Sequence, residues 1–189
     1  MPPKKKITRE QLVETALAIA NEEGLGNITI RKIANRLECS IAPIYVNFKD
    51  VEELKQEVVA QAIAISKALI LEQNSGDPFL DIGIASVIFA KRYPLLFDEL
   101  GIKDNQYYGN QIESKNFVIQ QMKQDTELST FKDLELELLF LKMQAFQAGL
   151  SLLARKEQYS NILTDDMIIK ILSDTGNDIL NGMKERGRH

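Results

Sequence analysis

Ile28-Thr29-Ile30-Arg31-Lys32-Ile33-Ala34-Asn35-Arg36-Leu37-Glu38-Cys39-Ser40-Ile41-Ala42-Pro43-Ile44-Tyr45-Val46-Asn47-Phe48-Lys49 is the stretch that decides the fold. Ile30, Ile33, Ala34 and Leu37 recur at helical spacing, with Arg31, Lys32, Asn35 and Arg36 between them. The pattern predicts a short helix opening at Thr29 with one buried face. Glu38-Cys39-Ser40 leaves only a tight turn before the next apolar set, Ile41, Ile44, Tyr45 and Phe48. Ser40 is expected as the N-cap of this second helix, and Pro43 is tolerated because it falls in the first turn. Two short helices joined this tightly suggest a helix-turn-helix, whose second helix enters the major groove of DNA, although any helix pair gives similar stripes.

On the N-terminal side, Thr8 and Gln11 form a capping box. It opens a helix carrying Leu12, Val13, Ala16, Leu17, Ile19 and Ala20 on one stripe, and Gly24 and Gly26 end it. On the other side, Asp50 and Glu53 form a second box, and Leu54, Val58, Ala62, Ile65 and Leu69 mark a long helix that stops at Asn74-Ser75-Gly76. Asp77-Pro78 starts another helix, apolar almost all round from Phe79 to Ala90, with Lys91 and Arg92 at its negative end. Pro94 begins a short turn reaching Gly101, residues 102–111 read as a loop, and a helix follows from about Ile112 to Gln124.

The segment from Thr130 to Glu157 is a helix with two apolar faces. Leu134, Leu138, Leu141, Ala145, Ala148, Gly149 and Leu152 lie on one; Leu136, Leu139, Met143, Phe146, Leu150 and Leu153 lie on the other. One face suffices for the chain's own core. Thr164 caps a last helix with Ile168, Ile171, Leu172, Thr175, Ile179 and Met183, and Gly176 and Gly182 lie inside it. Glycine inside a helix costs about 1 kcal/mol and suits close backbone approach. A homodimer is expected through these two helices as a four-helix bundle, using Leu138, Leu141, Ala145, Ala148, Gly149, Leu152, Leu172, Gly176 and Ile179; the alternative is that the two helices pack on one another within a monomer. Which apolar face serves the dimer is left open by periodicity.

The 189 residues are 44% hydrophobic and 26% charged, with only ten Gly and five Pro. Such a chain forms a sizeable core, and the scarcity of breakers favours long helices. No unbroken apolar run reaches the roughly 18–20 residues of a membrane span, and charged residues interrupt any secretory signal, so a cytoplasmic protein is expected. Cys39 is the only cysteine and His189 the only histidine. Intrachain disulfides, cysteine zinc clusters and histidine-based catalysis or metal sites are therefore excluded, and no cofactor is expected. No phosphate loop or nucleophile elbow occurs, so no enzyme activity is expected. The net charge of −4 hides an asymmetry: residues 1–50 hold eight Lys/Arg against six Asp/Glu.

Together with Glu52-Glu53-Leu54, the stretch quoted above resembles the N-terminal domain of the TetR family of transcriptional regulators. The resemblance covers about residues 8–55 and rests on the Ile33-Ala34, Leu37, Tyr45-x-x-Phe48-Lys49 and Glu53-Leu54 landmarks. It implies an all-α protein. A three-helix DNA-binding domain with a basic arm (1–50) would precede a larger helical domain for effector binding and dimerisation (51–189). Ser40, Ile41, Ala42, Pro43, Tyr45, Val46 and Asn47 are expected at the DNA surface, Asn47 facing adenine and the apolar groups facing thymine methyls. Tyr45 matches the family tyrosine, whose hydroxyl would meet a phosphate. Ile44 and Phe48 are expected in the core. Phosphate contacts are expected from Lys4, Lys5, Lys6, Arg9, Lys49 and the amides near Thr29; the lysine run also reads as a solvated tail.

Three positions depart from the family pattern. Glu38 stands where a turn glycine is common, Asn47 where histidine is frequent, and Val51 where a lysine often meets phosphate. Cys39 reads as a small buried residue where the family often has valine, rather than as a redox thiol.

For the second domain the resemblance implies a small-molecule effector, with Phe89, Tyr93, Phe97, Tyr107, Tyr108, Phe117, Met143 and Phe146 as candidate pocket residues. At helical spacing the same side chains also read as plain core. The expected function is a regulator, commonly a repressor, that binds a palindromic operator as a homodimer and responds to the effector. The alternative keeps DNA binding but gives the C-terminal bundle a protein partner.

Overall fold

The computed structural model of the chain describes residues 7–102 and 111–187. Among these the chain is all-α, with no strand. The helices are α1 (Arg9–Glu23), α2 (Ile30–Arg36), α3 (Ala42–Asn47), α4 (Val51–Glu72), α5 (Pro78–Arg92), α6 (Pro94–Phe97), α7 (Gln111–Met122), α8 (Asp133–Ala154) and α9 (Asp165–Gly187). Most helix starts are where local chemistry puts them. Thr8 and Gln11 close their box, Asp77 accepts from the amides of Phe79 and Leu80 at 2.9 Å, and Thr164 accepts from that of Met167.

Three boundaries differ from the sequence reading. Ile41, not Ser40, is the N-cap of α3, and no side chain caps it. An N-cap hydroxyl at Ser40 would need an amide hydrogen at position 42 or 43, and Pro43 has none to give. At α4, Asp50 accepts from the Glu53 amide at 2.9 Å, but the Glu53 carboxylate reaches one residue further back, to the Lys49 amide at 2.7 Å. α8 is shorter than 130–157 because 3₁₀ turns hold both flanks, Leu128–Thr130 and Glu157–Tyr159. In the first, Asp125 accepts from the Glu127 and Leu128 amides and the Thr130 hydroxyl donates to the Glu127 carbonyl. Such local side-chain bonds offer the backbone an alternative to helix.

The chain forms two compact units. One comprises residues 7–65 with 93–102, the other 66–92 with 111–187, so α4 contributes to both. In the first, Leu12, Ile19, Leu25, Ile28, Ile33, Ile44, Phe48, Leu54 and Leu96 are fully buried, and α1 packs against α2, α3 and α6. In the second, α5 packs against α7, α8 and α9. Leu136, Leu139, Met143 and Leu150 are buried on the inner side of α8, and Val87, Leu150, Ile168 and Leu172 form one cluster. α8 is the one described helix long and apolar enough to cross a membrane by length and composition. Its inner face in this core accounts for part of that hydropathy.

The turn between α2 and α3 is a Schellman motif. The Cys39 amide donates to the Ala34 carbonyl at 2.9 Å and the Glu38 amide to that of Asn35 at 3.2 Å. This closure forces the residue between helix end and turn into the left-handed region. Glu38 occupies it, with φ 51°, at the place where the family pattern favours glycine. A β-carbon there is strained by about 1 kcal/mol. Glu38→Gly is therefore expected to raise the melting temperature by roughly 2–4 °C, measured by circular dichroism. An unchanged or lower value would show that the turn carries no such strain.

Candidate nucleic-acid interface

α3 has one buried side and one bare side. Ile44 and the following Phe48 are buried as expected, while Ile41, Ala42, Tyr45 and Val46 are exposed, Tyr45 at 55% and Val46 at 83%. Pro43 and Asn47 are half-buried. The Asn47 amide nitrogen donates to the Pro43 carbonyl at 2.8 Å, so the group expected to face adenine is engaged along its own helix. The outward set is thus apolar and aromatic: an isoleucine, an alanine, a tyrosine and a valine on six residues of helix. Packing within the first unit gives these side chains no partner face.

The position of α3 depends on Arg9. Its guanidinium donates to the carbonyl of Asn47, an orphan group at the helix C-terminus. It also pairs with Glu57 at 3.0 Å and Glu53 at 3.4 Å, and lies 4.1 Å from the centre of the Phe48 ring. Its hydrogen bond to Glu57 is the main reason its pKa is raised. Arg9 was expected as a phosphate contact. With its donors turned to Asn47, Glu53 and Glu57, it is instead a brace that joins α1, α3 and α4.

Two cations of α2 are also engaged. Lys32 pairs with Glu23, and Arg36 with Glu22 and Glu23. The hydrogen bond from Arg36 holds the Glu22 carboxyl below its ordinary range. Arg31 is exposed and has no ion pair among the described residues. The sequence reading placed it on the outward side of α2 without distinguishing it from Lys32 and Arg36; only their partners on α1 separate them. Lys49 is exposed, and the Thr29 hydroxyl accepts from the Lys32 amide at 3.2 Å. Lys4, Lys5 and Lys6 lie outside the described residues. A carboxylate from residues 93–102 supports the same unit: Glu99 accepts from the Leu25 amide at 2.9 Å, beside Gly24 with φ +93°.

The candidate effector residues fall in both units. Tyr93 and Phe97 belong to the first unit; Phe89, Phe117, Met143 and Phe146 belong to the second. Phe89 and Met143 are buried core, and Met143 borders a cleft of only about 10 Å³, room for roughly one water molecule. Tyr107 and Tyr108 lie outside the described residues. No group of three or more potential metal ligands occurs among the described residues.

The candidate dimer residues divide by face. Leu138, Leu141, Ala145, Gly149 and Leu152 are exposed on α8 with Leu134, while Ala148 and Ile179 are half-buried. Leu172 and Gly176, expected at the dimer interface, pack within the chain instead. Leu172 lies in the core cluster with Val87 and Ile168. A β-carbon at Gly176 would sit 3.2 Å from the Phe79 ring, so the close approach that glycine permits is to α5 of the same chain.

No protein-family model and no curated protein sequence matches this chain. Solved structures do match in fold. A point variant of TetR from Acinetobacter baumannii AYE, in complex with minocycline, aligns with TM-score 0.60 at 14% identity over 95% of this chain and 98% of its own. A regulatory protein of the tetR family from Rhodococcus RHA1 aligns with TM-score 0.61 at 15% identity, covering 93% and 97%. A candidate transcriptional regulator from Streptomyces coelicolor A3(2), SCO7518, aligns with TM-score 0.60 at 18% identity, covering 88% and 96%. The chain has the TetR-like fold: an N-terminal helix-turn-helix followed by a helical bundle.

The brace makes a specific expectation. Arg9→Ala should lower the melting temperature and speed amide hydrogen exchange around residues 45–49, with helix content nearly unchanged. Arg9→Lys should recover only part of this protection, because one ammonium cannot copy the planar fork. Exchange identical to the original protein in Arg9→Ala would remove Arg9 from this role.

Proposed function

We propose that this chain is a cytoplasmic DNA-binding transcriptional regulator, acting as a homodimer on a palindromic operator and commonly as a repressor. The observation that carries the reading is α3. It is short, fixed from behind by Ile44, Phe48 and Arg9, and bare on the side bearing Ile41, Ala42, Tyr45 and Val46. On this reading thymine methyls and groove shape supply sequence preference, with Tyr45 also reaching a phosphate. Lys49, Arg31, the lysines at 4–6 and the amides near Thr29 supply phosphate contacts, so affinity falls with salt. Asn47 joins the readout only by turning its amide away from Pro43.

The exposed stripe of α8 supports the dimer. Leu134, Leu138, Leu141, Ala145, Ala148 and Leu152 alternate by four and three residues, the spacing of a seam between two helices. Leu141 is 60% exposed in the single chain, and covering each such leucine stabilises by roughly 1 kcal/mol or more. Ile179 is retained in this interface; Leu172 and Gly176 are not. The second unit would bind a small effector, a reading supported by the fold it shares with a regulator solved with minocycline. The burial of Phe89 and Met143 makes those two plain core rather than pocket lining; the alternative reading is a bundle that meets a protein partner instead.

Two variants test the proposal. Val46→Glu changes a side chain 83% exposed, so fold and thermal stability should persist. Capture of fragmented genomic DNA, followed by sequencing, should enrich discrete loci with the original protein and none with Val46→Glu. Equal enrichment by both would remove α3 from DNA reading. Leu138→Lys combined with Leu141→Lys should convert a dimer to a monomer in sedimentation; a dimer that survives both changes lies elsewhere.

A further inference from the structure

A cleft of about 250 Å³ opens in the second unit between the end of α4, the connection to α5, and the end of α7. This is below the roughly 300–1,000 Å³ of sites for drug-sized molecules, so its occupant is small. None of the residues expected for the effector lines it. Among the described residues its one charged lining residue is Asp81, only 8% exposed. Asp81 Oδ1 accepts from the Ser75 amide at 3.1 Å. Among the described residues its carboxylate has no other hydrogen bond and no ion pair. Holding the Ser75 amide requires an acceptor but not a charge; asparagine would serve. A carboxylate taken so far out of water without a counter-ion is unfavourable. Its remaining lone pairs face the cleft and are open to a cation from outside the chain.

The rest of the lining narrows the class. The Gln73 amide nitrogen is engaged with the Leu69 carbonyl at 3.0 Å, which leaves its oxygen to accept. Gln121 and Gln124 bring two more amides, and Ile70 and Pro78 bring hydrocarbon. One carboxylate among amides is too few anionic ligands for a structural metal ion. Acceptors beside an apolar wall instead suit several N–H donors on a short carbon chain. We propose that this cleft binds a small organic cation, a primary ammonium or guanidinium with a short alkyl part. The site lies wholly within the second unit and stands whether or not the chain reads DNA.

The test is calorimetric titration of the full chain with n-pentylammonium and n-pentylguanidinium, with 1-pentanol as the neutral match. Saturable one-to-one binding of a cation is expected, with pentanol weaker by about tenfold or more. Asp81→Asn keeps an acceptor for Ser75 and should weaken the cations by about the same factor while leaving pentanol unchanged. Should that variant fail to fold, Gln124→Lys decides, since its own ammonium would compete for the carboxylate. No saturable binding of either cation, or undiminished binding in the variant, overturns the proposal. Loss of DNA affinity on adding the cation would make it the effector. Binding with DNA affinity unchanged would bear against that role and leave the site standing.

Discussion

The guanidinium of Arg9 is the contact on which the first unit's candidate function depends. A helix of six residues has too few internal hydrogen bonds to stand alone, so its orientation must be imposed from outside. Ile44 and Phe48 anchor α3 by burial, and Arg9 holds the carbonyl at its end while stacking on Phe48 and pairing with α4. Fixing one side in this way leaves the other side rigid and bare. A short rigid helix with an apolar and aromatic outer surface is poorly suited to solvent and well suited to the floor of a groove.

A second constraint acts on the other unit. α8 carries two apolar faces, and the four-helix packing of α5, α7, α8 and α9 satisfies only one. The remaining leucines follow a seam spacing rather than scatter, which is why a second copy of the chain is the partner proposed. Asp81 marks a different kind of incompleteness in the same unit. There a mostly buried carboxylate, rather than an apolar surface, has no ion pair among the described residues.

Much of the fold was legible because its signals are local. The caps of α1, α5 and α9 lie within three residues of the amides they hold, and the left-handed residue in the turn was flagged by the missing glycine at Glu38. Legibility failed where one neighbour changed the chemistry or where partners are distant. Pro43 removed the donor that a cap at Ser40 needs. Arg9 finds its partners 38 to 48 residues away, so spacing alone could not separate a brace from a phosphate contact. Leu172 and Gly176 sit at ordinary helical positions, and only α5 and its Phe79 ring reveal that they face inward. The cleft at Asp81 is assembled from two stretches about 40 residues apart and leaves no mark on periodicity.

The most direct measurement is selection of bound DNA from a random duplex pool at stated salt. The account predicts enrichment of a palindrome whose half-sites are centred about one helical turn apart, or a multiple of it, as two copies of α3 would require. Recovery of no sequence preference, or of a single unpaired half-site, would contradict it.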